Sequence, residues 1–263
     1  MNNNYEKRYK NLLKKILASG YENQARDGNT RVSLFGESLE FNNIMGLFPM
    51  LTSKKMFFKN IKYELSWMLS GLTNINYLKS NAVSIWDLWA DENGEIGDTY
   101  GKQLRSFNGI DQLKLILKEL ETTNNSSRLV ISLWNPVAIS QGNIRPCYHS
   151  FQFVPINKYL HINVSQRSAD AFIGLPYDIC VFSLLLRLVA DAYNFIPGVV
   201  KINIGNLHIY KEHKEPIVTY LNNQEYDLPN IYNGQRKVIN FEVSKVQLRN
   251  YKSCEFIKAK IVI

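Results

Sequence analysis

The stretch between Tyr177 and Asn194 is the most apolar helical segment of the chain, and it limits the possible folds more than any other feature. Pro176 enters it, and proline suits the first helical position because its φ is already helical and its missing N–H is not needed there. Residues Ile179-Cys180-Val181-Phe182 inside it offer no polar face. Such a helix must be covered on most sides, and no stretch approaches the roughly 18–20 apolar residues that span a bilayer. The cover therefore comes from the chain itself. Strand signals stand before it at 129–134, 150–154 and 160–164, and after it at 199–204 and 237–243. Amphipathic helices are predicted over 5–17, with Tyr9, Leu12, Leu13 and Ile16 on one face, over 61–69 ending at Gly71, and over 110–120. The turn-rich run Arg26-Asp27-Gly28-Asn29-Thr30 leads into an alternating strand that continues to Phe41. No repeat or Gly/Ser linker interrupts the pattern, which predicts one α+β domain over 1–263.

Composition narrows the class. The chain has 263 residues, of which 45% are hydrophobic and 21% charged, which excludes disordered and collagen-like chains. The three cysteines, Cys147, Cys180 and Cys254, are too few and too scattered for a disulfide framework or a CxxC metal site, so no metal is expected. Their odd number fits a reducing compartment. The polar amino terminus lacks the apolar run of a signal peptide, and a cytoplasmic location is expected. The net charge of +8 is spread thinly, with short clusters at Lys54-Lys55 and Lys258/Lys260. That balance suits a small phosphorylated or polyglutamylated ligand as well as nucleic acid, and dispersed charge is most simply solvated surface.

Several residues have the chemistry of a reactive site. Cys147, in Arg145-Pro146-Cys147-Tyr148-His149, stands before an alternating strand beside a basic side chain, where positive charge is expected to lower the thiol pKa. The bland reading is a structural cysteine at a strand edge, which is also how Cys180 and Cys254 read. In Ser165-Gln166-Arg167-Ser168-Ala169-Asp170, an Arg fork beside a hydroxyl suits a phosphate, against an ordinary exposed Arg. Asp178, near the start of the apolar helix, suits a helix-terminus carboxylate. Glu64 lies in a helix otherwise rich in apolar residues, where a carboxyl with a raised pKa moves protons near neutrality; the alternative is a side chain pointing outward. His208 and Tyr210 alternate along a strand and share one face, either as two donors to a ligand or as a polar pair at a sheet edge.

Together these segments resemble the thymidylate synthase family across nearly the whole chain. The matching motifs, in order, are Arg26-Asp27-Gly28, Phe48-Pro49 with Thr52-Ser53-Lys54-Lys55, Glu64-Leu65-Ser66-Trp67 to Gly71-Leu72-Thr73-Asn74-Ile75, and Ile85-Trp86-Asp87-Leu88-Trp89. Tyr100-Gly101-Lys102-Gln103, Pro146-Cys147, Gln166-Arg167-Ser168 with Asp170, Gly174-Leu175-Pro176 and His208-Ile209-Tyr210 follow, with an apolar final Ile263. The resemblance implies a large mixed β-sheet packed with helices, a sheet-to-sheet homodimer, and a pyrimidine nucleoside 5′-monophosphate with 5,10-methylenetetrahydrofolate as substrates. It implies neither a nucleic acid nor a membrane partner.

By the same resemblance, Cys147 adds to C6 of the base, Glu64 is the general acid/base at the C4 side, and Tyr100 assists removal of the C5 proton. Arg26, Arg167 and Ser168 are implied phosphate ligands, and Gln166 lies in the same substrate-binding segment. Of the family's two adjacent arginines that reach across the dimer, only Arg128 is present, after Ser127, implying a weaker grip. His208 and Tyr210 match the pair on the sugar 3′-hydroxyl. Trp86, Trp89, Asp170, Gly174 and Ile263 fall on the folate side, and Lys54 near the folate's glutamate tail.

Asp178 is the informative departure, since thymidylate synthases carry Asn there. An aspartate suits cytosine in two ways: as an acid it donates to N3 and accepts from the amino group, and as a carboxylate it accepts from N3-protonated cytosine. One unpaired buried hydrogen-bonding group costs about 1–3 kcal/mol, enough to redirect base choice. By this residue, and by Gly205-Asn206-Leu207-His208 in place of the usual Gly-Asp-x-His, the chain is closest to the cytidylate (CMP or dCMP) 5-hydroxymethylases. Tyr148 departs from the His that usually follows the nucleophile. The expected reaction is C5 hydroxymethylation of CMP or dCMP. The alternatives are C5 methylation, favoured by Trp86, Trp89 and the apolar tail Ile261-Val262-Ile263 as a shield against water, thymidylate synthesis from dUMP, and nucleotide or RNA binding without catalysis.

Overall fold

The computed structural model describes residues 4–26, 28–43, 46–141 and 144–262. The first half carries α1 (Asn4–Ser19), β1 (Tyr21–Gln24), β2 (Thr30–Asn42), α2 (Phe58–Leu69), α3 (Asn76–Ser80), α4 (Tyr100–Ser106) and α5 (Gln112–Thr122). Then come β3 (Val130–Ser132), α6 (Pro136–Ile139), β4 (Tyr148–Ile156), β5 (Tyr159–Asp170), α7 (Gly174–Ala192) and β6 (Ile196–Tyr210). A 3₁₀ turn (Lys211–His213), α8 (Lys214–Asn222), β7 (Asn230–Asn233) and β8 (Val246–Arg249) follow.

The apolar segment is the buried helix α7, which packs on β5 and β6 and against α2. Its buried side chains include Ile179, Cys180, Phe182, Leu184, Leu185, Leu186, Leu188 and Val189, so burial runs around the helix rather than along one stripe. The thiol of Cys180 donates to the Pro49 carbonyl at 3.4 Å, a structural role. Pro176 is the third residue of α7 rather than the first, because the helix begins earlier, at Gly174. A proline is tolerated anywhere in this first turn, where N–H groups lack helical partners.

One sheet of six strands in the order β1-β2-β6-β5-β4-β3 supports this helix, and β7 pairs with β8 separately. The β5–β6 pair is parallel and the others are antiparallel. The sheet is therefore mixed, and α7 is the crossover that a parallel pair requires. The α+β expectation holds. Segment 237–243 departs from expectation: it is a loop and a turn with Asn240 at φ 55°, and the strand forms later, at β8.

The parallel crossover positions the site. It brings the carboxyl ends of β5 and β6 side by side, with Ser168 opposite Asn206 and Asp170 opposite His208. The antiparallel return of β4 sets Tyr148 opposite Gln166, which places the preceding Cys147 beside Arg167.

Candidate active site

Cys147 stands immediately before β4 and is half-buried. Its backbone is tied on both sides: its N–H donates to Tyr100 Oη at 2.9 Å, and its carbonyl accepts from Arg167 N at 2.8 Å. The Arg167 guanidinium donates to Pro146 O and Arg145 O, both at 2.9 Å, and its Nη2 lies 3.9 Å from Cys147 Sγ. Arg167 is exposed, but it is fixed over the nucleophile rather than loose on the surface. The expected lowering of the thiol pKa is not found. Burial pushes the thiol above its ordinary value, and Arg167 only partly offsets it.

Tyr100 opens α4 at φ 33°, in the left-handed region that side chains rarely occupy. A conformation of this kind costs about 1–3 kcal/mol and persists where packing over-determines it. Here the ring is fully buried between Trp86 and Tyr148, with centroids 5.3 and 4.8 Å away. The next residue, Gly101, lets α4 approach α2, since a Cβ there would lie 2.9 Å from Met68 O. Tyr100 Oη accepts from Cys147 N, and the phenol hydroxyl also helps pull the Cys147 thiol down against burial. Burial and the neighbouring Cys147 hold this phenol well above the ordinary value, and it stays protonated.

Glu64 does not point outward. It is buried in α2 and accepts from Trp86 Nε1 at 3.0 Å. Burial and the nearby Asp178 charge push its carboxyl up to about 8, against the pull of the Trp86 hydrogen bond. Asp178 is the fifth residue of α7, past the first turn, so the helix-terminus reading does not apply. Its Oδ2 accepts from Gln166 Nε2 at 2.6 Å, and burial pushes its carboxyl up to about 7. Two carboxyls thus titrate near neutrality beside one nucleophile, an arrangement typical of acid–base sites.

At the carboxyl ends of the parallel strands, His208 and Tyr210 meet edge to face with centroids 5.2 Å apart. They lie on β6 inside the sheet, between β2 and β5, and not at an edge. His208 Nδ1 lies 3.0 Å from Asn206 Oδ1, which assigns the proton to Nδ1 and leaves Nε2 as an acceptor in the neutral ring. Burial lowers the pKa of His208, so the neutral form is favoured. Ser168 lies half-buried across the strand pair from Asn206. Asp170 Oδ1 accepts from the N–H groups of Phe172 and Ile173 at 2.8 and 3.3 Å, which shapes the entry to α7.

Trp86 and Trp89 pack at 5.6 Å, with Trp86 buried and Trp89 partly exposed. A Cβ on Gly174 would meet only Asp170 Cβ, at 4.0 Å. Asp170 is largely buried, and the open space at Gly174 lies beside it, room that suits the amide donors of a heterocycle such as a pterin. Lys54 is buried, with Nζ bonded to Phe172 O and 4.0 Å from the centre of the Phe172 ring. Burial brings its pKa down to about 8. It therefore stands behind Asp170 and not on the surface. Ile263 lies outside the described residues.

The structure joins Cys147, Arg167, Tyr100, Trp86, Glu64, Asp178 and Gln166 into one set, with Asp170, His208 and Tyr210 beside it. It does not bring Arg26 or Arg128 into that set. Arg26 is exposed on the turn between β1 and β2. Arg128 is 77% exposed, with Nε 3.0 Å from Glu119 Oε1. Reading the residues in order missed the function of Asn206 in orienting His208, and missed His213, whose ring is brought to Asp170 only by the chain reversal after β6. Among the described residues no group of three or more His, Cys, Asp and Glu could hold a metal ion. The family model described as Thymidylate synthase matches residues 7–263.

Proposed function

We propose that this chain, which belongs to the thymidylate synthase family, uses a cytosine nucleoside 5′-monophosphate, CMP or dCMP, and forms its 5-hydroxymethyl derivative. Membership establishes the general chemistry: folate-dependent one-carbon transfer to a pyrimidine nucleotide. The carrying observation for cytosine is the Asp178–Gln166 pair. Gln166 Nε2 commits Oδ2 of Asp178 as an acceptor, so a proton on the carboxyl sits on Oδ1. A carboxyl so arranged donates from Oδ1 to N3 of cytosine and accepts the amino N–H on Oδ2, which retains a second lone pair. Uracil presents N–H at N3 and an acceptor at O4, and would face a donor and an acceptor in the wrong order.

The roles are those the family resemblance implies. Cys147 adds to C6 as the thiolate, with Arg167 supplying positive charge at 3.9 Å, and C5 becomes nucleophilic. 5,10-Methylenetetrahydrofolate supplies the one-carbon unit. Tyr100 orders the water that removes the C5 proton, and Glu64 exchanges protons at the C4 side of the base. Water adds to the exocyclic methylene left at C5, and the sulfur departs from C6 with its electron pair, restoring the ring double bond. Water and methylenetetrahydrofolate are consumed, and tetrahydrofolate is the second product. Arg167 and Ser168 hold the phosphate, with Arg26 to join them from the exposed β1–β2 turn, His208 and Tyr210 hold the sugar, and Trp86, Trp89, Asp170 and Gly174 the folate. Arg128 serves the neighbouring subunit of a sheet-to-sheet homodimer, for which its exposed position is suited.

One observation favours a second product. The Trp67, Trp86 and Trp89 rings pack in series at 5.6 Å, and a dry aromatic wall favours hydride over water and hence a 5-methyl product. Mass spectrometry of the product from CMP and dCMP in competition, with dUMP as a third substrate, tests the reading. A gain of a hydroxymethyl group without dihydrofolate formation supports it; a methyl gain with dihydrofolate selects the second product; rapid turnover of dUMP alone overturns both.

A further inference from the structure

His213 is fully buried and has taken no part so far. It ends the 3₁₀ turn after β6, and the reversal folds its ring back onto the carboxyl end of β5. Nδ1 lies 3.6 Å from Asp170 Oδ1, an ion-pair separation, and Nε2 lies 2.8 Å from the carbonyl of Lys260 in the C-terminal segment. Both ring nitrogens thus face acceptors. Only the Nε2 contact is a hydrogen bond; Nδ1 is buried without a hydrogen-bond partner and faces the Asp170 carboxylate at ion-pair distance, a placement that suits an imidazolium because its charge, not a second hydrogen bond, meets the carboxylate. Phe172 and Tyr210 flank the ring at 5.7 and 5.6 Å.

We infer that His213 is a positioning residue that couples folate binding to the C-terminal segment, holding Asp170 with one ring nitrogen and the Lys260 carbonyl with the other. The inference rests on the reading of Asp170 as a folate ligand. The contacts of His213, Phe172 N and Ile173 N all fall on Oδ1 of Asp170, which leaves Oδ2 for a ligand. The same segment is tied further back by Cys254 N donating to Thr52 O at 2.8 Å, so the Lys260 contact fixes its outer part.

The charges around the ring support the cationic form. Asp170 faces it from β5 and Glu212 stands beside it, while His208 on β6 opposes it and Lys54 competes for Asp170 from beyond Phe172. Burial would lower the histidine, but Asp170 and the Lys260 carbonyl outweigh it and hold its pKa above the ordinary value. Burial likewise would raise Asp170, but His213 and the Phe172 N–H keep it below the usual range. As pH rises through the histidine's titration, the Lys260 contact, the Asp170 contact or both are lost.

NMR titration of the His213 ring in the full-length chain is the first measurement, with trypsin cleavage after Lys258 and Lys260 and the KM for methylenetetrahydrofolate followed over the same pH range. The ring is expected to titrate above 6.5, the ordinary histidine value. Cleavage is expected to quicken, and the folate KM to rise ~10-fold, on the order of the loss of one buried ion-pair contact, in that same range. His213→Gln, which can still donate to the Lys260 carbonyl without a charge, is expected to keep the slow cleavage but raise the folate KM at all pH values. His213→Phe loses both, and neither variant changes the KM for the nucleotide. Titration at or below 6.5, or wild-type cleavage and folate KM in His213→Phe, would overturn the coupling. Asp170→Asn separates the underlying reading: an unchanged folate KM there removes Asp170 as a ligand and with it the folate half of the inference, while cleavage still decides the hold on the tail.

Discussion

Gln166 Nε2 donates to Asp178 Oδ2 at 2.6 Å, from the central strand β5 to the buried helix α7. The contact joins the two elements that the parallel crossover sets against each other, and it fixes which oxygen of Asp178 is free to carry a proton. Under the proposed reading, the carboxyl that reads the base is one the fold holds near pH 7 rather than one in its ordinary range.

Asp178→Asn should reverse that choice. An amide can accept from N3–H and donate to O4 of uracil, but it cannot meet N3 and the amino group of cytosine as well as a carboxylic acid does. The kcat/KM for the cytosine nucleotide should fall ~10–100-fold, matching one or two mispaired buried groups, and turnover of dUMP should rise. Steady-state kinetics on CMP, dCMP and dUMP measure both. Equal losses on all three would mean that the residue supports the site without reading the base.

Glu64 should make the unliganded protein less stable as pH rises. Its folded pKa, about 8, lies above the unfolded value of about 4.3. The stability it contributes is fully present below the unfolded value and is lost as pH rises through the folded one. Asp178, raised to about 7, acts in the same direction. Glu64→Gln, which can still accept from Trp86, should melt higher than wild type at pH 8, with the gap closing toward pH 4. The gain is about 2–4 °C for each kcal/mol recovered in a protein of this size. Thermal melts at the two pH values check it, and a constant gap would remove Glu64 as the source.

The thiol of Cys147 should be slow to alkylate in the free enzyme. Burial holds it above the ordinary value, and Arg167 and the Tyr100 hydroxyl only partly offset it, so the rate of carboxamidomethylation should rise at a higher pH than for a free cysteine. Arg167→Ala should move that rise further up. Peptide mass spectrometry resolves Cys147 from Cys254, the partly exposed thiol that serves as an internal standard. If Arg167→Ala speeds alkylation at all pH values, access rather than charge limits the thiol.

Much of this site was legible in residue order, and its limits have physical causes. The apolar period of 177–194 forced a covered helix, and the alternation of His208 and Tyr210 placed them on one face. The positive φ of Tyr100 left no mark in the sequence, because Tyr is a poor residue for that conformation and only the rings of Trp86 and Tyr148 hold it there. The Cys147 thiol was misjudged because neighbouring residues reveal charge but not burial. Lys54 lies in an unremarkable Lys54-Lys55 pair, and only the fold shows that one of the two is buried against Phe172 while the other is exposed. His213 depends on a chain reversal and on a residue 47 positions away, a relation that no local pattern encodes.

Tyr100→Phe should separate binding from chemistry. The phenol oxygen accepts from Cys147 N, and in the proposed mechanism its hydroxyl orders the water near C5. Removing it leaves the Cys147 N–H unpaired at the edge of the site, which costs about 1–3 kcal/mol. It also withdraws a proton-transfer partner of the kind worth about 10²–10⁴ in rate. The ring itself is retained between Trp86 and Tyr148, so the strained backbone stays supported and the fold should persist. The kcat should therefore fall by at least ~100-fold while the Kd for the nucleotide changes by less than ~10-fold. Exchange of tritium from C5 of the substrate should fall with kcat if, as proposed, that proton is the one the phenol helps to move. Single-turnover kinetics with a 5-tritiated nucleotide measure both quantities. Loss of nucleotide binding in step with rate would assign Tyr100 to holding the Cys147 loop, and release of tritium at the wild-type rate would take it out of proton transfer.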